Sequence, residues 1–223
     1  MYHIVVLNLQ RSTERKQLLD QQFKKLELSN YFFFPAFDGK NIINISFSAS
    51  IIKGTGIGRN LQHGEISIIM SHIGALKFAQ TMNFENVIIL EDDVVLCEDW
   101  KERIKWLFEN LPKDWEYTYL AGHSDYVKLP YYENPTLIKA PQMIGAFSYL
   151  VNKSGMQKLI DFCGEFTTTY DDMIMHKIKN GKLQGYYLVP YMTYHADSMS
   201  TLWSIPSLNH PSKKYFKNKL TDE

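Results

Sequence analysis

A strand that is apolar on both faces can only sit in the middle of a layered protein, and this chain has two such runs. Val87–Leu90 is apolar throughout and Tyr2–Leu9 almost so. Runs of this kind read as buried strands of a parallel sheet with helices on both faces. Helical patterns stand where such a sheet needs them. After the first run, Ser12 offers an N-cap to a helix with Leu19, Phe23 and Leu26 on one stripe. From Gly64, the apolar positions Ile66, Ile69, Ile73 and Leu76 step by three and four. Tyr31–Phe37 reads as a strand ending at the turn dipeptide Asp38-Gly39, and residues 41–63, with glycines at 54, 56 and 58, as a long loop. Further along, Glu98–Leu111 reads as a helix, and Tyr117–Leu120, Thr136–Ile138, Ala146–Val151 and Gly185–Val189 as strands. A helix capped at Ser154 and another over Tyr170–Asn180, stopped by Gly181, complete the pattern. The expected fold class is α/β, with a mostly parallel central sheet flanked by helices.

The 223 residues carry 24 Lys+Arg against 24 Asp+Glu, so there is no basic footprint for nucleic acid. A chain this long buries roughly 70–75% of its unfolded surface and needs neither disulfide nor metal to fold. Cys97 and Cys163 are far apart and form no CxxC site. No linker or repeat divides the chain, so one domain over 1–223 is expected. Within it, residues 1–96 form one half, 97–205 the other, and 206–223 a basic aromatic tail. Met1 runs almost directly into the first strand without a signal-peptide pattern, and no stretch approaches a membrane span, so a cytoplasmic location is expected. In the tail, Lys213, Lys214, Lys217 and Lys219 interleave with Tyr215 and Phe216. A solvated terminus is the first reading of that segment and weak contact with an anionic membrane face the second.

The strongest chemical signal is Glu91-Asp92-Asp93, three carboxylates at the end of the apolar strand Val87–Leu90. Strand alternation points Glu91 and Asp93 one way and Asp92 the other. Ligands of open α/β sheets bind at the carboxyl ends of the strands, where paired carboxylates can hold a hard divalent cation shared with phosphate oxygens and water. A solvated acidic turn is the competing reading. The second signal is Thr167-Thr168-Thr169-Tyr170-Asp171-Asp172 at a helix start. Thr168 with Asp171, or Thr169 with Asp172, resembles a capping box, which leaves the other carboxylate available as a general base. Ser71 and His72 lie inside the helix that begins at Gly64, where an imidazole reads first as hydrogen-bonded packing. His195, in a late loop, reads as polar surface or as a partner of the carboxylates. Trp203, Tyr131 and Tyr132 are aromatics that could stack on a bound ligand, although packing is the simpler role for each. No GxGxxG, P-loop, GxSxG or HExxH pattern occurs.

In order along the chain stand Val6-Leu7-Asn8-Leu9-Gln10-Arg11-Ser12 with Glu14-Arg15, Pro35-Ala36-Phe37-Asp38-Gly39, Gly64-Glu65 with Ser71-His72, and Leu90-Glu91-Asp92-Asp93-Val94. Together these motifs resemble glycosyltransferase family 25, which includes bacterial lipooligosaccharide galactosyltransferases and collagen hydroxylysine galactosyltransferases. The resemblance continues more weakly through Trp115–Gly122, Gly145–Leu159 and Tyr170–Ile174. It implies a GT-A-type fold with a Rossmann-like nucleotide-sugar-binding sheet. It also implies inverting transfer, usually of galactose from UDP-galactose with Mn2+ (or Mg2+), to a glycan or hydroxylysine-type acceptor. By the same resemblance Glu91-Asp92-Asp93 stands for a DxD motif, with Asp93 as metal ligand and Glu91 nearer the ribose or a metal-bound water; the region Tyr194–Ser200 matches the family poorly, so His195 as a member of that shell rests on its residue type alone. Asn8, Arg11, Arg15 and Asp38 match positions lining the nucleotide pocket. Asp171 matches the acidic position of the later motif and is the first choice for base, with Asp172 next to it. Ser67 and Ile68 depart from the Gly and Cys usual in the family. Two other readings remain: a member that binds nucleotide-sugar or a partner without turnover, and a metal-dependent nucleotidyltransferase.

Overall fold

The computed structural model describes residues 1–44, 60–123, 132, 134–163 and 168–195. The glycines at 54, 56 and 58, the aromatics Tyr131 and Trp203, and the basic tail lie outside the described residues. In chain order the elements are β1 (His3–Asn8), α1 (Thr13–Lys25), β2 (Tyr31–Pro35), a 3-10 segment (Gly39–Asn44), α2 (His63–Thr81), β3 (Asn86–Glu91) and β4 (Val94–Leu96). There follow α3 (Trp100–Asn110), β5 (Tyr117–Tyr119), β6 (Thr136–Lys139), β7 (Ser148–Asn152), α4 (Lys153–Phe162), α5 (Tyr170–Lys179), β8 (Gly185–Val189) and β9 (Thr193–His195).

Seven strands form one sheet in the order β2-β1-β3-β7-β5-β8-β6, while β4 and β9 pair apart from it. The first apolar run lies between β2 and β3, parallel to both, with Val6 opposite Leu90 and Leu7 opposite Glu91. This arrangement is the α/β class expected. The sheet is mixed: β7 runs antiparallel to both β3 and β5, and β6 antiparallel to β8. Apolar composition reports burial on two faces, which β7 shares with the parallel strands, so it does not report direction.

Alternation along the strands sorts side chains onto the two faces. Ile4, Val6, Ile88 and Leu90 look one way, towards α1 and α3, where Phe23 stacks against Tyr31 and Phe108 against Tyr2. Val5, Leu7, Ile89 and Tyr149 look the other way, towards α2, α4 and α5. The core is continuous through the sheet, with Ile4, Val5, Val6, Ile88, Ile89 and Leu90 all at 0% exposure.

Helix ends differ in detail from the sequence reading. Ser12 occupies the N-cap of α1 without a side-chain cap bond. The helix expected to be capped at Ser154 starts two residues earlier, because Asn152 accepts from the Gly155 amide at 2.8 Å. Asn152 also donates from its side chain to the Trp115 carbonyl. Ser154 instead donates to Glu116 Oε1 at 2.8 Å, joining a buried carboxylate that also accepts from Lys158 Nζ at 2.7 Å and the Gln184 amide at 3.0 Å. Gln62 caps α2 in a reciprocal box with Glu65. Gly181, at φ +70°, follows α5 as expected. Among the described residues no helix is long and apolar enough to cross a membrane.

Candidate active site

The carboxyl ends of β1 and β3 lie side by side, so the turn after β1 and the acidic triplet after β3 share one edge of the sheet. Glu91 is the last residue of β3, and Asp92 and Asp93 form the turn into β4. Alternation holds for the first pair. Asp92 stands on the α1 side, where Asn8 Nδ2 donates to it at 2.7 Å and Arg15 at 3.1 Å. Glu91 stands on the α2 side, with Oε1 3.7 Å from His72 Nε2. Asp93 departs from the expected grouping with Glu91 alone, because the strand has ended: its Oδ2 is 3.4 Å from Arg15 and its Oδ1 3.4 Å from His195 Nδ1. His195 arrives through β9, which pairs antiparallel with β4 and sets His195 opposite Val94. Its ring rests against Phe147, with centroids 3.9 Å apart.

Asp38 lies at the start of the 3-10 segment, and its carboxylate takes both Nε and Nη2 of Arg11, at 2.8 and 3.2 Å. The Phe37 amide donates to Ser71 Oγ at 2.9 Å, so α2 fixes the segment that carries Asp38. This accounts for the Ser71 of the helix motif. Ser67, where the family usually has Gly, is accommodated by donating to the Gly64 carbonyl at 2.7 Å. At the far side, Thr169 is the N-cap of α5 and makes no side-chain cap bond, so neither expected capping box closes. Its hydroxyl instead reaches Asp171 Oδ1 at 2.8 Å and Asp172 Oδ2 at 2.9 Å, and Asp171 Oδ1 also accepts the Asp172 amide at 3.0 Å.

The electrostatics follow from crowding like charges in a half-buried corner. Burial, then the neighbouring Asp93 charge, pushes the Glu91 carboxyl well up from its ordinary range. Burial also raises Asp92, against the opposing pull of Arg15 and Asn8. For Asp93, burial is outweighed by His195 and Arg15, and its carboxyl is held low. For His195, burial is outweighed by Asp93 and Glu91, and the imidazole is raised. The charge of Asp171 is felt at Glu91, His72 and Tyr119, so the start of α5 lies within electrostatic reach of the acidic turn.

A divalent cation fits here as a guest with few protein ligands. Asp93 Oδ1 is buried and no donor reaches it within hydrogen-bond geometry, with the His195 ring nitrogen next to it. Among the described residues no three or more His, Cys, Asp or Glu side chains form a complete cage. An ion bound here would have one or two protein ligands and would take the rest from substrate phosphates and water.

The structure therefore brings Asn8, Arg15, Glu91, Asp92, Asp93 and His195 together, sets Arg11 and Asp38 as an ion pair, and holds Asp171 and Asp172 side by side at the start of α5. Tyr132 is 39% exposed. Sequence reading missed the partners of His72, which are Tyr149 and Tyr170. They lie 77 and 98 positions away, a separation that no local pattern signals.

A sheet of this layout, with an acidic turn at its carboxyl ends, is of the GT-A class of α/β folds. The chain belongs to glycosyltransferase family 25: the family model, described as Glycosyltransferase family 25 (LPS biosynthesis protein), matches residues 1–175. That span includes Asp171 and Asp172 and stops short of His195. A Glycosyltransferase 25 family member of Aedes aegypti is 26% identical over 175 residues, covering 71% of this chain and 28% of the relative. Procollagen galactosyltransferase 2 of Homo sapiens is 25% identical over 169 residues, covering 70% of this chain and 27% of the relative. The chain thus spans little more than a quarter of the length of these relatives. A solved glycosyltransferase involved in glycosylation of the major capsid of PBCV-1 superposes with a TM-score of 0.40 at 9% identity, over 74% of this chain and 67% of that one.

Proposed function

We infer that the chain is an inverting glycosyltransferase that moves a hexose, galactose from UDP-galactose, onto a hydroxyl of a glycan or hydroxylysine-type acceptor. The observation that carries this reading is a convergence in a chain of this family. One sheet edge gathers an acidic turn, the arginine that Asp92 and Asp93 share and the Arg11–Asp38 pair, with the charge of a further carboxylate, Asp171 at the start of α5, within electrostatic reach of Glu91. The nucleotide end of the donor lies over the turn after β1, between Asn8, Arg11, Arg15 and Asp38. The Arg11–Asp38 pair opens to give guanidinium to phosphate and carboxylate to a base N–H. Asp92, held by Asn8 and Arg15, keeps that arginine in place. Asp93 and His195, with Glu91 beside them, would hold a manganese or magnesium ion, whose chemistry when bound is to neutralise charge on the departing diphosphate. Asp171 takes the proton of the acceptor hydroxyl as its oxygen attacks the anomeric carbon from the face opposite the diphosphate. Residues 1–96 serve the donor, 97–205 the acceptor, and 206–223 form a tail.

The test is incubation with a panel of UDP-sugars and manganese, following UDP release with and without glycan and hydroxylysine acceptors. Release with one UDP-sugar that rises with acceptor supports the reading. Tight donor binding with no release in any combination replaces it with the non-catalytic alternative, and pyrophosphate release from a nucleoside triphosphate replaces it with the nucleotidyltransferase.

A further inference from the structure

Behind the acidic turn, on the α2 face of the sheet, three side chains from distant parts of the chain form a buried rod. His72 of α2 and Tyr149 of β7 are 0% exposed, and Tyr170, the first residue of α5, is 2% exposed. The Tyr149 hydroxyl lies 3.1 Å from His72 Nδ1 and 3.0 Å from the Tyr170 hydroxyl. The imidazole is stacked on Tyr170, with centroids 4.1 Å apart and planes 11° from parallel. Stacking and one hydrogen bond therefore fix the ring, and its other nitrogen has a single neighbour of note. His72 Nε2 is buried, has no hydrogen-bond partner and faces Glu91 Oε1 at 3.7 Å.

A neutral imidazole carries one N–H, and the group bonded to one nitrogen decides where that proton sits. We propose that His72 is a positioning residue: Tyr149 donates to Nδ1, the ring proton stays on Nε2, and that N–H orients the Glu91 carboxylate within the donor site. The alternative tautomer would aim a lone pair at Glu91, which suits only the protonated acid, so the tautomer also reports which form of Glu91 the site holds. The ring is fully buried between Tyr149 and Tyr170. Tyr149, having given its proton to His72, accepts from Tyr170, whose next neighbour in the chain is Asp171. One rod thus sets Glu91 against the start of α5 and fixes the spacing between the two carboxylates that act on donor and acceptor.

The inference rests on the glycosyltransferase reading only for its kinetic arm. The structural arm uses the full chain with 15N-labelled histidine and reads the tautomer of His72 at pH 7 by NMR. The expected result is an Nε2–H tautomer in the unmodified protein, a mixture of tautomers in Tyr149→Phe, and an Nε2 resonance that moves in Glu91→Gln. An Nδ1–H tautomer in the unmodified protein overturns the proposal, whether or not any variant folds. In the kinetic arm, Tyr149→Phe keeps the ring and deletes only the hydroxyl. Turnover of the donor should fall about 10- to 100-fold, the range seen when a partner supporting a ligating group is lost, with little change in donor KM. In a Glu91→Gln background the same substitution should cost nothing further, whereas an equal loss in both backgrounds sinks the idea. Absence of sugar transfer in the unmodified protein would instead refute the proposed activity and leave the tautomer result standing.

Discussion

Replacing Asp171 by asparagine separates a proton acceptor from a helix-end carboxylate more sharply than any other change in the site. The two oxygens of Asp171 are not equivalent. Oδ1 already accepts the Thr169 hydroxyl at 2.8 Å and the Asp172 amide at 3.0 Å. An asparagine oxygen keeps both bonds, so the local geometry survives. What disappears is a negative charge at the start of α5, worth about 0.3–1 kcal/mol with the helix dipole. The loss is partly offset, because the same charge opposes ionisation of Glu91. The net effect on stability should stay within about 1 kcal/mol, a shift in Tm of about 2–4 °C for a chain of this size. If Asp171 is the base, transfer to acceptor should fall about 10²- to 10⁴-fold, equivalent to about 3–5.5 kcal/mol in the barrier. The assay pairs transfer kinetics with a thermal melt and with calorimetric titration of UDP, so that a variant unable to bind donor is recognised. Asp172→Asn, which disturbs a single bond to Thr169 Oγ1, should be much milder. Transfer by Asp171→Asn within about threefold of the unmodified chain would refute the assignment, and abolition by Asp172→Asn would pass the role to its neighbour.

Three further outcomes can be checked independently. Asp93→Asn preserves shape but removes the charge that faces Arg15 and His195, so manganese-dependent turnover should fall by about two orders of magnitude, about 3 kcal/mol, while circular dichroism and the melting curve show a folded chain. Glu116 is held below its ordinary value of 4.5: burial would raise it, but Lys158, the Gln184 amide and Ser154 outweigh burial. Its contribution is therefore complete above that value and lost as pH falls through the lower folded value. Chemical denaturation should show Glu116→Gln less stable by about 1–2 kcal/mol at pH 7, with the difference closing in acid; a difference that persists unchanged at low pH would contradict the ionic account. Gly155→Ala drives a new Cβ against the Glu116 carbonyl and the Val151 side chain, and should cost about 2–3 kcal/mol in the same assay, whereas Gly181→Ser meets no atom and pays only for its positive φ.

The legible parts of this protein were those encoded by short periods. Val87–Leu90 announced a central strand, and the carboxylates behind it had to fall at its end because three adjacent charges cannot continue into an apolar layer. The stripe through Ile66, Ile69 and Leu76 gave α2 because burial on one helix face repeats every three or four residues. Strand direction was not legible: β7 is as apolar as β1, and its antiparallel course depends on connections, not composition. Asn152 in place of Ser154 at a helix start was a contest between two good capping residues, decided by the Gly155 amide within reach of one and Glu116 within reach of the other. Within the site, Asp93 was visible as a carboxylate, but its sharing between Arg15 and His195 depends on a turn that ends the alternation at Glu91. Glu116 gave no signal, since its three partners are supplied by α4 and the segment before β8.

The pairing of β4 with β9 acts as a latch of three residues between chain positions almost a hundred apart. Because this latch lies outside the seven-stranded sheet, opening it releases no strand of the main layer. The sheet and the site thus have separate tolerances. A change in the length of the segment between Val189 and Thr193 by one residue would leave the fold standing yet present Tyr194 or Ala196 where His195 now meets Asp93, since a slip of one along a strand exchanges its two faces. The group set beside Asp93 can thus be exchanged by small insertions in a peripheral ribbon, with no substitution in the acidic turn.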